Sequence, residues 1–253
     1  IRAIIKEVDG REPVDVHRLI KVGDQSALGM GVPSLMAMTI FPEEEIIQQV
    51  GRYTPLYLGW WYHGTEDTID KIDIKTLEKN VRFYALCIIK MCNSLILPYN
   101  FTEASDVIKR TLEELNMESR GLINLHRCLS LAEKFDDYIK KFQAKVDEIK
   151  YKIPSLEINI DKINDCLIKM SRIIIPILYT YDAGKYGQDP YGLSYLNYPI
   201  PVLQPIKELV KMDIKTDDFI MLRTKLIRKV NEVSDNLERL IEIMSVCESY
   251  IIK

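Results

Sequence analysis

The pattern of apolar and polar residues changes about a quarter of the way along the chain. Before residue 62, short apolar runs alternate with loops rich in Gly, Pro and charge, which is typical of strands. These runs are 3–5, 33–40 and 55–61. From Asp67 onward, apolar residues recur at steps of three and four, the spacing of one helical face. The pattern therefore predicts an α/β segment followed by an all-α region.

The all-α region divides into a first helix and a bundle. Positions 68–95 have helical spacing and end before Pro98, which disfavours helical backbone in the residue that precedes it. A shorter helix at 103–117 and three long amphipathic helices follow, and they are stable in water only if their stripes meet. The long stripes lie at 122–149, 156–177 and 219–251, with Ser155 and Thr216 as predicted N-caps. Core packing is the simpler interpretation of these stripes, and a partner-binding face is the alternative.

Composition and charge narrow the class of protein. The 253 residues are 47% hydrophobic and 28% charged, which suits a folded globular chain. The 34 basic and 37 acidic residues are interspersed, so no basic block indicates nucleic acid or an anionic membrane. The longest apolar runs are far shorter than the roughly 20 residues of a spanning helix. We expect no nucleic-acid partner, no membrane segment in this chain and a soluble protein. The compartment cannot be read from these residues, and a cytoplasmic location is favoured over the others.

The sequence offers few candidates for catalytic or metal-binding residues. The histidines His17, His63 and His126 form no HxxxH or HExxH pair, so the chain alone cannot build a catalytic zinc centre. GxSxG, Walker and GxGxxG motifs are absent, which leaves serine and nucleotide chemistry without an anchor. The cysteines lie mostly in apolar helical stretches without a CxxC pair, which predicts buried small hydrophobic side chains. They are Cys87, Cys92, Cys128, Cys166 and Cys247.

Two segments stand out from the helices. His63 follows the aromatic run 60–62 and precedes 64–68, on a predicted tight loop between a strand end and a helix start. A lone histidine is more often structural than a ligand, and spacing alone does not decide. The second segment, 181–201, holds five tyrosines among glycines and prolines. A loop of this length is usually functional, and the alternative is that it packs against a neighbouring domain.

The segment 62–70 resembles the "YHT..DT.D" motif of di-zinc exopeptidases of the glutamate carboxypeptidase and transferrin receptor family. Other segments support the resemblance along most of the chain. Residues 31–34 are similar to the family's "GIPS", 23–26 stand at its "SDH" turn, 93–99 resemble its "NS..LPF", and 185–189 resemble its "KYAGE" loop. The resemblance implies the C-terminal portion of such a protein.

The resemblance also implies roles for particular residues. His63 would be the last ligand of a zinc pair, and Tyr62 would stabilise the developing oxyanion or simply cover the site. Lys185 and Tyr186 would grip the C-terminal side of a peptide substrate, although a loop lysine is more often solvated. The other metal ligands and the general base find no counterpart here and would precede Ile1.

The implied organisation is the C-terminal part of a zinc peptidase catalytic domain at 1–98 and a helical dimerisation domain at 99–253. The implied chemistry is amide hydrolysis, in which two zinc ions polarise the scissile carbonyl and activate a water. A homodimer is expected through the helical domain, with Ile220, Ile227, Ile241 and Ile243 as exposed apolar residues. The alternative is a non-catalytic receptor-like or scaffolding homologue that keeps the fold and the dimer without metals. Retention of His63 favours the peptidase.

Overall fold

The computed structural model of the chain describes residues 1–13, 28–37, 39–40, 43–50, 59–152, 159–181 and 198–251. The chain divides into two compact units. The first unit consists of residues 1–17 and 35–94, and the second consists of residues 18–34 and 95–253.

Three helices are described in the first unit. They are α1 (Arg2–Asp9), α2 (Glu43–Val50) and α3 (Ile74–Cys92), with a single 3-10 turn at Ile69–Lys71 before α3. The carboxylate of Asp73 caps α3 by accepting the N–H of Thr76 at 2.8 Å, because the first N–H groups of a helix have no partner within it. Helix α1 packs on α3, and Phe83 and Cys87 are the buried residues of α3.

The expected α/β remnant is wrong, since no described residue lies in a β-strand and the run at 3–5 belongs to helix α1. The β-branched pair Ile4 and Ile5 suggests a strand when it is taken alone. With Ile1 and Val8, however, the pair has the i, i+3, i+4, i+7 spacing of a helical face. Gly10 ends the helix with a φ of 72° and donates its N–H to the carbonyl of Lys6 at 2.9 Å.

The run at 33–40 has no regular secondary structure where it is described. The hydroxyl of Tyr84 on α3 accepts the N–H of Ala37 at 3.0 Å and donates to its carbonyl at 2.9 Å. Thr39 donates its hydroxyl to the side-chain carbonyl of Asn80 at 2.9 Å. A strand needs a neighbouring backbone to complete its ladder, and here helical side chains take that place. Of the run at 55–61, only 59–61 is described, and it lies in a turn.

The second unit is the predicted all-α bundle. Its helices are α4 (Thr102–Glu118), α5 (His126–Lys152), α6 (Ile160–Tyr179), α7 (Ile206–Leu209) and α8 (Asp217–Ile251). Helix α5 packs against α4 and α8, and α6 packs against α8. The predicted cap at Thr216 is confirmed, because its hydroxyl accepts the N–H of Phe219 at 3.3 Å. Ser155 lies outside the described residues, and Asn159 caps α6.

The predicted stripes form one continuous core in this bundle. Helix α6 has the largest buried fraction of the long helices, with ten of its 20 residues inside. No helix among the described residues has both the length and the apolarity to cross a bilayer. The largest fully buried side chains of the bundle include Phe135 and Phe142 on α5, Leu112 and Leu115 on α4, and Leu167 and Met170 on α6.

The cysteines differ from the prediction in two respects. Cys166 on α6 and Cys247 on α8 form a disulfide, with their Cα atoms 6.2 Å apart, and Cys92 is exposed. Cys87 and Cys128 are buried free thiols as predicted, and burial raises the pKa of Cys128 to about 11. Disulfides are typical of oxidising compartments and of intracellular proteins from hyperthermophiles. The bond therefore gives no support to an ordinary cytoplasmic location.

Candidate functional site

Residues 59–68 of the first unit form a series of tight turns, called here the His63 turn. Its backbone N–H groups at positions 62, 64 and 67 donate to the carbonyls of residues 59, 61 and 64, at 3.0, 2.9 and 3.2 Å. His63 has a φ of 60°, a left-handed conformation that residues other than glycine adopt uncommonly. The local backbone thus holds His63 in an unusual conformation directly before Gly64.

The glycines on either side of the tryptophan pair are required by close contacts. A Cβ at Gly59 would lie 2.4 Å from the ring of Trp61, and a Cβ at Gly64 would lie 3.1 Å from the Trp61 carbonyl. Trp60 and Trp61 meet edge to face, with ring centroids 5.9 Å apart. A larger residue at Gly59 would therefore displace the Trp61 ring, whereas at Gly64 a small shift of the Trp61 carbonyl would be enough.

The imidazole of His63 lies on the ring of Tyr62, with centroids 3.9 Å apart and an interplanar angle of 20°. Both side chains are exposed. The carboxylate of Asp67 accepts the backbone N–H of His63 at 3.4 Å, so this acid stabilises the turn and not the ring. Among the described residues, neither imidazole nitrogen takes part in a hydrogen bond. The ring edge, where the nitrogen lone pairs lie, is therefore open.

The acidic and hydroxyl groups that follow His63 are engaged in local structure. Thr68 donates its hydroxyl to the carboxylate of Asp70 and to the carbonyl of Glu66. The ammonium of Lys71 lies 2.5 Å from the same carboxylate. These hydrogen bonds, that of Lys71 first, lower the pKa of Asp70 to about 2. Asp70 is thus an ionised anchor of the 3-10 turn that leads into α3.

The structure brings together only part of the predicted site. Tyr62 and His63 are in contact, whereas Lys185 and Tyr186 lie outside the described residues, as does His17. His126 is exposed at the start of α5, where its N–H donates to the side chain of Asn124 at 3.0 Å. This agrees with its predicted place beside the apolar stripe.

A metal site is at most partly formed by the residues described. No three histidine, cysteine, aspartate or glutamate side chains in the described ranges are grouped so that they could hold a metal ion. One exposed imidazole, fixed by its turn and by a stacked ring, fits a single ligand position of a zinc site.

A feature that the sequence analysis did not anticipate lies in the second unit. Tyr181, at the start of the tyrosine-rich segment, lines a small surface depression together with Lys225 and Lys229 of α8. The two lysines are four residues apart, so they share one face of the helix. That spacing is the only sign of this feature in the sequence. The apolar lining consists of Val202, Pro205, Leu222 and Leu226.

No protein-family model and no curated protein matches this chain. Function is therefore inferred from the chemistry of the described residues and from the motif around His63.

Proposed function

We propose that this chain is part of a zinc-dependent exopeptidase, in which His63 supplies one imidazole ligand to a two-zinc site. One observation carries the proposal. In the His63 turn and directly after it, Asp67, Thr68 and Asp70 each make a local contact, whereas the exposed His63 ring makes no hydrogen bond to any described residue. An imidazole whose nitrogens are open to solvent is available as a metal ligand.

The geometry suits metal binding for a simple reason. Zinc binds the neutral imidazole through a lone pair in the plane of the ring. Stacking of Tyr62 covers the face of the ring and leaves that plane accessible. Because Asp67 and the turn restrain the backbone of His63, part of the ordering cost of binding is met before the metal arrives.

Other residues of this chain would support the reaction. Bound zinc ions would polarise the scissile carbonyl and lower the pKa of a bridging water. The hydroxyl of Tyr62, next to the imidazole, would donate to the developing oxyanion. Lys185 and Tyr186 would bind the carboxylate side of the peptide substrate, since an ammonium and a phenol both donate hydrogen bonds to carboxylates.

The test is to measure the zinc content of the intact protein by elemental mass spectrometry. Replacement of His63 by alanine should lower zinc affinity and peptidase activity by at least about tenfold, because a ligand is lost. His126→Ala is the matched control, since this histidine is also exposed but lies in the other unit. Unchanged zinc stoichiometry in His63→Ala would refute the proposal. An unmutated protein that binds no zinc would instead indicate the non-catalytic homologue.

We also infer that the bundle forms a homodimer through the first half of α8. Ile220, Met221 and Ile227 are exposed there, whereas Ile241 and Ile243 are partly buried against the core. A two-fold interface uses one patch twice, so a single substitution introduces two charges. Ile227→Asp should therefore give a monomer mass in light scattering at micromolar concentration. Val246→Asp, at an exposed residue near the other end of α8, should leave a dimer. Loss of the dimer only in the control variant would place the interface elsewhere.

A further inference from the structure

The small depression beside Tyr181 in the second unit, called here the Tyr181 depression, is lined by groups of two chemical kinds. Its polar lining consists of Tyr181, Lys225 and Lys229, and the rest of its lining is apolar. Mostly apolar walls with a few polar groups are the usual composition of a small-molecule site. The apolar residues are Val202, Pro205, Leu222 and Leu226.

Three elements of the bundle build this depression. The four residues of α8 that line it are spaced at steps of three and four, so they share one face of the helix. Tyr181 lies just after the C-terminal end of α6, and Val202 belongs to the 3-10 turn Pro201–Leu203. This turn packs against both α6 and α8. The walls of the depression are therefore parts of one packed bundle.

The segment that carries Val202 and Pro205 is anchored in the core. Its apolar residues Ile200, Leu203 and Ile206 are fully buried, and its prolines restrict the backbone further. A site whose walls are held in place before a ligand arrives loses less conformational entropy on binding. The depression is thus preorganised on its apolar side.

The charges around the depression favour an anion. Lysine stems lie along apolar surface while their ammonium groups stay in water, so the ammonium groups of Lys225 and Lys229 belong at the rim. Like charges four residues apart on a helix repel, and an anion between them would remove that repulsion. Lys229 contacts the carboxylate of Glu232 at 3.0 Å, whereas Lys225 has no ion pair among the described residues. None of the described lining residues is acidic.

We propose that the Tyr181 depression binds a carboxylate that carries a short apolar group. The carboxylate accepts hydrogen bonds from the lysine ammonium groups at the rim, and the apolar group contacts Leu222 and Leu226. Because the depression is small, it suits an apolar group of a few carbons. All of these residues belong to the second unit, so the site is independent of the zinc ligand proposed at His63.

The same charges specify which ligands should bind poorly. A free amino acid carries an ammonium next to its carboxylate, and the two lysines would repel it. Isocaproate has the carbon skeleton of leucine without that ammonium, so it is the probe of choice. Its neutral amide keeps the shape without the charge, and inorganic phosphate keeps the charge without the apolar group.

The test is an NMR titration of the full chain with isocaproate, followed through the methyl signals of Leu222 and Leu226. We expect saturable shifts with a Kd on the order of 1 mM, a value typical of so small a ligand. Leucine, the amide and phosphate should each bind at least about tenfold more weakly. The absence of saturable shifts, or equal binding of isocaproate and either the amide or phosphate, would overturn the inference.

Two exposed cations of α8 provide a matched pair of variants. Lys225 lines the depression, whereas Arg228 does not. Lys225→Gln should weaken isocaproate binding at least about fivefold, because a charge-assisted hydrogen bond is lost. Arg228→Gln removes the same charge and should change binding less than about twofold. Equal weakening by the two variants, with unchanged circular dichroism, would assign the attraction to the general charge of α8 and overturn the inference.

The carboxylate has two possible sources, a free acid or the C-terminus of a peptide. An acetylated dipeptide that ends in leucine presents the same chemistry as isocaproate. Tighter binding of this dipeptide than of isocaproate would identify a peptide C-terminus as the ligand, and the reverse order would identify a free acid. Either result supports the site, provided that Lys225→Gln weakens the preferred ligand.

Discussion

The disulfide between Cys166 and Cys247 should be a major source of stability in the second unit. It connects α6 to the last turns of α8 and spans 81 residues of sequence. The loop-closure entropy removed from the unfolded chain corresponds to about 4.5 kcal/mol. Because small domains are stable by only about 5–15 kcal/mol in total, replacing both cysteines by alanine should remove a large part of the bundle's free energy of unfolding.

The substitution also removes two buried sulfur atoms, and this effect must be measured separately. Both cysteines are buried, so each alanine leaves space that the core must refill. Cys128→Ala is the matched control, since Cys128 is a fully buried free thiol on α5. Subtracting twice the cost of this control from the cost of the double variant isolates the contribution of the cross-link.

Guanidinium unfolding followed by far-UV circular dichroism is the assay, with and without a phosphine reductant. The unmutated chain should lose stability when it is reduced, and the double variant should not respond. The loss of unfolding free energy in the double variant, minus twice the loss in Cys128→Ala, should approach the loop-closure value of about 4.5 kcal/mol. A difference below about 1 kcal/mol would refute the reasoning, and would mean that the unfolded chain already keeps these helices together.

Two further predictions concern the second unit. Gly31→Ala should lower the free energy of unfolding by several kcal/mol, because the added Cβ would lie 2.2 Å from the Cα of Arg172. Gly121 has a similar φ but faces open space, so Gly121→Ala should cost only about 1 kcal/mol. Thermal melting measures both variants. Burial opposes ionisation of Asp136, yet its hydrogen bonds, chiefly that from Lys140, lower its pKa. The ionised carboxylate of Asp136 therefore stabilises the fold above its unfolded-state pKa, and this stabilisation is lost as pH falls through its lower folded-state pKa. Asp136→Asn should flatten the acid side of the plot of unfolding free energy against pH. At pH 7 the variant should cost about 1–3 kcal/mol. Equal melting of the two glycine variants, or an unchanged acid profile, would contradict these predictions.

The sequence alone determined the helical bundle. Long stripes at steps of three and four are stable in water only when they bury one another, so the core helices α5, α6 and α8 followed from spacing without any structural knowledge. The cap at Thr216 followed for the same kind of local reason, because a hydroxyl at that position satisfies an N–H that the helix leaves free. In the candidate site, the motif around His63 identified the histidine and its tyrosine neighbour.

The tertiary structure decided what depends on contacts between distant residues. The local sequence around Ile4 and Ile5 is compatible with either a strand or a helix. In the structure these residues lie in helix α1, which packs on α3. Spacing could not show that Cys166 and Cys247 meet across 81 residues, because helical periodicity specifies a face but not its partner. The same limit applies to α3, where the stripe is legible in sequence but only the structure shows that the described residues leave it open.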